Sequence, residues 1–234
     1  MTAALTNYVD AIANVTALLL IESAYSDPPS ASDKSAVEGL RGGCVVLMVA
    51  AFENYLKESI AEIFERVNTA NPPCDFSKLP LQLQTQAVYT GLAAAMNPRP
   101  WDPVKEKHLR LPKVLSAVGR ISRGEILSQE IAETAGNPNS AQVKAVFKTV
   151  GLPSIIGNIK PGFDVAWGAP TAQTFIADNL DSVVQRRHTV AHTASILSTS
   201  RTDLHDWQRF LGCLVSQLDA ALERHIARVI TKAQ

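Results

Sequence analysis

The sequence predicts an all-α fold, an up-and-down bundle of long helices with a helical insertion between the second and third of them. Three observations carry this. Apolar residues recur at three- and four-residue spacing through most of the chain. Aromatic residues are few (6%) in a chain that is 46% hydrophobic, and Ala and Leu, good helix formers, are frequent. No stretch alternates as a half-buried strand does. At 234 residues the chain is long enough to bury a sizeable core as a single domain, 1–234.

The first helix, about residues 2–25, carries Leu5, Val9, Ile12, Val15 and Leu19 at helical spacing, and Asp27-Pro28-Pro29-Ser30 ends it. The second, about 33–69, opens on Asp33 as a cap. Its apolar positions are Val37, Leu40, Cys44, Leu47, Ala51, Phe52, Leu56, Ile60, Ile63 and Val67, and Asn71-Pro72-Pro73 stops it. Gly42-Gly43 marks a point where it can bend or admit another backbone. The insert, about 75–170, holds shorter helical patterns near 79–96, 104–118, 124–134 and 140–150. Asn137-Pro138-Asn139-Ser140 reads as a turn leading into a helix cap. Residues 151–170 contain four glycines and three prolines and read as a surface loop. The third long helix, about 171–196, is opened by Thr171. The fourth, about 202–231, is capped by Ser200 and Asp203 and buries Trp207, Leu211, Leu214, Leu218, Leu222 and Val229.

Formal charge is zero, 22 basic against 22 acidic residues. No general basic excess advertises nucleic acid, so any RNA contact must come from a local patch. Cys44, Cys74 and Cys213 are odd in number and far apart, without a CxxC spacing, which fits a reducing, cytoplasmic setting. Cys44 reads as a core residue. The longest apolar runs, near 15–21 and 44–52, read as too short to span a bilayer, and no basic region precedes an apolar one at the N-terminus, so neither membrane nor export is expected.

One segment breaks the amphipathic pattern. In the third long helix the apolar stripe Ile176, Leu180, Val183 resumes at Val190, and the position between them is Arg187. A cation at a core-facing register is costly unless it is paired or lines a wet cleft. Beside it runs a wholly polar stripe of Asp178, Asp181, Gln185, His188 and His192. Arg186, Arg187, His188 and His192 together make a locally basic cluster in a neutral chain. Such residues suit the cleavage of RNA by its own 2′-hydroxyl, without metal or other cofactor. A histidine moves protons near neutral pH, and an arginine binds the phosphate as negative charge builds.

Arg187-His188-Thr189-Val190-Ala191-His192 resembles the R-x4-H motif of HEPN domains. Ala50-Ala51-Phe52-Glu53-Asn54-Tyr55-Leu56-Lys57-Glu58 and Gly136-Asn137-Pro138-Asn139-Ser140, the latter running into Val143, Val146-Phe147 and Val150-Gly151-Leu152, are similar to the RiboL-PSP type of HEPN protein. The resemblance covers about residues 5–225. It implies a helical bundle, a homodimer with both motifs at a shared cleft, and metal-independent endoribonuclease activity. Carried over, Arg187 binds the phosphate, and His192 transfers a proton or orients the 2′-hydroxyl. His188 supports the site, and Glu53 pairs with Arg187 or orients a histidine, with Arg186 also in support. Many such proteins act in toxin–antitoxin or antiphage systems, which implies an antitoxin or regulatory protein as a partner.

Other readings of the same residues stand beside these. Arg187 and His192 also suit a solvated helix end, where basic residues favour the dipole. A non-catalytic module for dimerisation, or for binding RNA or protein, would carry the same bundle. His188 and His192, four apart, share a face and would serve as metal ligands if a third joined them, although the HEXXH pattern is absent. Glu53 also suits an i,i+4 pair with Lys57. His108, His205 and His225 have no chemical context, although Arg201 and Arg209 flank His205 at helical spacing and would extend a basic groove. Trp101 and Trp167 either stack on bases or pin loops to the core.

Overall fold

The computed structural model describes residues 2–98, 102–126, 137–193 and 199–234, with the backbone alone for Ile63, His192 and Thr193. Among these residues it is all-helical. Eight α-helices run in order: α1 (Ala3–Glu22), α2 (Lys34–Asn68), α3 (Leu81–Met96), α4 (Leu111–Ser122), α5 (Ser140–Thr149), α6 (Ile155–Trp167), α7 (Phe175–Thr193) and α8 (Arg201–Ala233). Short 3-10 turns at Phe76–Lys78 and Lys107–Arg110 precede α3 and α4. α2 lies against α1, α7 and α8, which makes these four long helices one bundle. α6 packs on α8, α5 touches α7, and α3 pairs with α4.

The core is one contiguous apolar cluster reaching from Ala4 to Ala233. Phe52, Leu56, Ile60 and Phe64 of α2 meet Leu211, Leu214, Val215, Leu218 and Leu222 of α8, with Ile176, Leu180 and Val183 of α7 beside them. Each such side chain, fully buried, contributes about 1.5–3 kcal/mol. The α2 stripe is rotated from its sequence reading. Met48 is buried and Leu47 is exposed, because α8 and α1 cover the Cys44–Met48–Phe52 side. Gly43 lets α1 approach closely, since a Cβ there would stand 3.6 Å from Leu18 Cδ1. By length and mean hydropathy (1.5 for each) α1 and α2 would both pass as membrane spans, so the expectation of no bilayer-length segment does not hold on those grounds. Half of the apolar window of α2 is buried within the bundle.

Four local readings are corrected. Residues 151–170 are not mainly a surface loop, because α6 occupies most of them with Ile155, Ile156, Ile159 and Phe163 buried. Those four residues follow helical spacing, and the packing they supply outweighs Pro161, whose ring and missing N–H disfavour a helix interior. Gly168, at φ 87°, ends α6 in the left-handed conformation that glycine adopts without strain. Thr171 does not open α7, which begins at Phe175. Its backbone N–H and hydroxyl instead donate to Asp164, at 3.2 and 2.7 Å. Asp33 sits at the N-cap position of α2 without capping it, and its carboxylate accepts from the Ser30 hydroxyl at 2.5 Å. The helix expected from 104 begins at Leu111, because the buried Arg110 gathers the preceding chain by donating to Asp102 and to the Val104 and Ala95 carbonyls. The pattern near 124–134 falls mostly outside the described residues.

Two caps are as expected. Ser200 and Asp203 form a full capping box on α8, and the Asn139 side chain accepts from the Gln142 N–H at the start of α5.

Candidate active site on the motif helix

α7 carries the candidate site toward its C-terminal end. Ile176, Leu180, Val183 and Val184 are buried, then burial fades, with Arg187 and Val190 half-buried. Arg187 therefore follows the core side of the helix at the point where the core opens. Among the described residues its guanidinium makes no ion pair or hydrogen bond. A half-covered cation with no anion beside it is poised to take one. Asp178, Asp181, Gln185 and His188 are exposed, so the polar stripe faces outward. The Thr189 hydroxyl donates to the Gln185 carbonyl at 3.1 Å, which leaves the helix continuous through the motif. The side chain of His192 lies outside the described residues, and its backbone is helical.

Glu53 stands half-buried on α2, the helix that packs against α7. Its carboxylate pairs with Lys57 at 2.6 Å, and no ion pair joins it to Arg187. Arg186 turns toward α8, with its guanidinium carbon 6.0 Å from the centre of the Trp207 ring, close enough for a cation–π contact. His205 is exposed, but the arginines flanking it are engaged elsewhere. Arg201 donates to Glu22 at 2.5 Å, and Arg209 lies 4.3 Å from the centre of the Trp167 ring. Among the described residues no basic groove extends along that face. Trp167 stacks on Phe163 and touches Phe175, so it holds α6 to α7 and α8 as a packing residue. Trp101 lies outside the described residues. Cys44 is fully buried, and burial pushes its thiol up to about 11, which leaves it inert as a nucleophile.

The polar stripe on α7 is of mixed purpose. Asp181 accepts from the Ser140 N–H at 2.7 Å and from its hydroxyl at 2.8 Å, and so anchors the start of α5. Nothing in the sequence signalled that pairing. Nor did the apolar patterning single out the cluster of buried Glu22 and Arg41 with partly exposed Arg201, though Glu22 does continue the Val15–Leu19 spacing of α1. Among the described residues no group of three or more His, Cys, Asp or Glu is placed to hold a metal ion.

The fold and this helix define a class first: an all-α bundle that presents R-x4-H at the end of its third long helix. The RiboL-PSP-HEPN family model matches residues 10–224, nearly the whole chain, and the protein belongs to that family. No curated protein and no solved structure matches the chain.

Proposed function

We propose that this protein is a metal-independent endoribonuclease of the HEPN type. The observation that carries the reading is Arg187, half-buried at a core register of the motif helix with no anion beside it among the described residues. Membership of the family supplies the reaction class. The 2′-hydroxyl of a substrate ribose attacks the adjacent phosphorus, the bond to the 5′-oxygen of the next nucleotide breaks, and a 2′,3′-cyclic phosphate and a 5′-hydroxyl result. His192 moves the proton from the attacking or to the leaving oxygen. Arg187 neutralises the phosphate as charge gathers on its free oxygens. His188, Glu53 and Arg186 support these two.

The active form is a homodimer that brings two motifs to one cleft. An exposed strip of α2, Leu47 and Ala50 leading to Asn54, offers an apolar seam beside Glu53. The setting is cytoplasmic toxin or antiphage defence, with an antitoxin or other regulator restraining the activity.

Arg187→Ala and His192→Ala should each abolish cleavage of purified RNA while the fold and the dimer persist. Wild-type cleavage should continue in EDTA and leave 2′,3′-cyclic ends. Wild-type protein that cuts no class of RNA at high concentration, together with a double variant that retains full biological activity, would favour a non-catalytic binding module instead.

A further inference from the structure

We propose that the outward face of the α3–α4 hairpin, in the insert, is a docking surface for a second copy of this chain. The inference goes beyond the nuclease reading and does not rest on it, because the face holds no residue of the motif.

The hairpin packs on itself. Ala95 of α3 and Ala117 of α4 are buried together with Val114 and Ile121 beside them, in a small cluster apart from the main core. At the start of α4, Arg110 donates to the carbonyls of Ala94 and Ala95, near the end of α3. Past the other end of α4, a Cβ on Gly124 would stand 3.0 Å from Cβ of Phe76, which lies just before α3. The two helices are therefore antiparallel.

Each helix leaves one apolar stripe uncovered. On α3 it is Leu81, Tyr89 and Met96, and on α4 it is Leu111, Leu115 and Val118. At 100° per residue each stripe lies about 90° round from the face that packs on the other helix, in the same rotational sense along its own chain. For antiparallel helices this puts both stripes on one side of the hairpin. Leu83 and Ala87, which belong to the main core, lie on the other side of α3, so the stripes face away from the bundle.

Size and charge together name the occupant. The six side chains are 44 to 74% exposed and present roughly 600 Å² of apolar surface, taking about 150–200 Å² for each in full. A standard interface draws about 800 Å² from each partner, about 60% of it apolar, or near 500 Å². The face is thus the size of one partner's share. α3 contains no charged residue. The two charged residues of α4, Lys113 and Arg120, lie about 170° round from its stripe and pair with Asp102 and Glu125, at 3.4 and 2.7 Å. An uncharged face has no cation to draw in RNA or an anionic membrane. Two copies of it meet about a two-fold axis without like-charge repulsion. The seam proposed for the motif dimer lies on α2, so pairing through the hairpin joins such dimers to one another.

Sedimentation equilibrium of the full chain, across a concentration series, tests this. Leu115→Glu and Tyr89→Glu each place a charge in the apolar face, at positions exposed enough to leave the fold intact by circular dichroism. Each should weaken the pairing at least about a hundredfold and so lower the mass about twofold from that of the wild type. Leu115→Met keeps the face apolar and should keep the mass. Val165→Glu, at an exposed position on α6 outside the face, should keep it too. Equal masses for the wild type and both hairpin variants would overturn the proposal, as would an equal fall in Val165→Glu. Equal masses with wild-type binding to phosphatidylcholine–phosphatidylglycerol vesicles that Leu115→Glu loses would overturn it in favour of a membrane surface. The mass is read without RNA, so a wild type that cleaves nothing sinks the nuclease reading alone. If the motif dimer fails instead, the hairpin variants sediment as monomers and the wild type still at about twice their mass.

Discussion

Replacing Arg187 with leucine should make the protein more stable and inactive. The residue sits in line with Ile176, Leu180 and Val183, all fully buried, at the place where full cover ends. Full burial of a leucine stabilises by about 1.5–3 kcal/mol, so the partial burial at this position gives roughly 1–2 kcal/mol. The aliphatic stem of arginine already covers some of the same surface, which subtracts from that gain. Removing a partly desolvated cation with no anion beside it adds to it. The net is a gain of about 1 kcal/mol, or roughly 2–4 °C in Tm for a chain of this size. Urea unfolding followed by far-UV circular dichroism, with thermal melts in EDTA, measures it. A second arm adds inorganic phosphate, which should raise the Tm of the wild type and leave Arg187→Leu unmoved, because a ligand stabilises only the state that binds it. A variant less stable than wild type by about 1 kcal/mol or more would mean that the guanidinium has an internal partner. An equal response to phosphate would mean that the anion binds elsewhere.

Two further outcomes separate scaffold from site. Asp181→Ala leaves the Ser140 N–H and hydroxyl without their acceptor and should cost about 1–2 kcal/mol in urea unfolding, with kcat unchanged; a lost kcat at full stability would place Asp181 in the chemistry instead. Burial holds the His225 imidazole below its ordinary range, with Nε2 2.8 Å from the Val150 carbonyl oxygen. The unfolded chain therefore takes up that proton first. The stability His225 contributes is present above about pH 6.5 and is lost as pH falls through that value toward the lower folded-state pKa. His225→Gln should flatten the dependence of the urea midpoint on pH between about 7 and 5, and an unaltered slope would show that this histidine is not the titrating group.

The parts of this molecule that local periodicity governs were legible from the residues. The long helices follow from three- and four-residue apolar spacing, and the Ser200–Asp203 box from a side chain bonding to N–H groups a turn away. Misreadings arose where a distant partner decides the outcome. α6 forms despite its glycines and Pro161 because Phe163 finds Phe175 and Phe210 across the core. Asp33 looked like a cap because of its residue type, yet Ser30 claims its carboxylate. For the candidate site, the anomaly at Arg187 was visible as a charge in an apolar register. The Lys57 partner of Glu53 was one of two open readings, and spacing alone could not choose between them. The Glu22–Arg41–Arg201 cluster joins residues up to 179 positions apart, and no local pattern encodes such a contact.

The placement of Arg186 over Trp207 has an optical consequence. The indole is half-buried on α8 and has as its neighbour the residue directly before Arg187. A cation held against an aromatic face alters the energy of its excited state, and a polyanion that draws the guanidinium away removes that perturbation. The protein thus carries a fluorophore beside the motif, and in a variant with Trp101 and Trp167 replaced by phenylalanine, titration with an uncleavable 2′-deoxy oligonucleotide can be followed in the emission of Trp207 without any label.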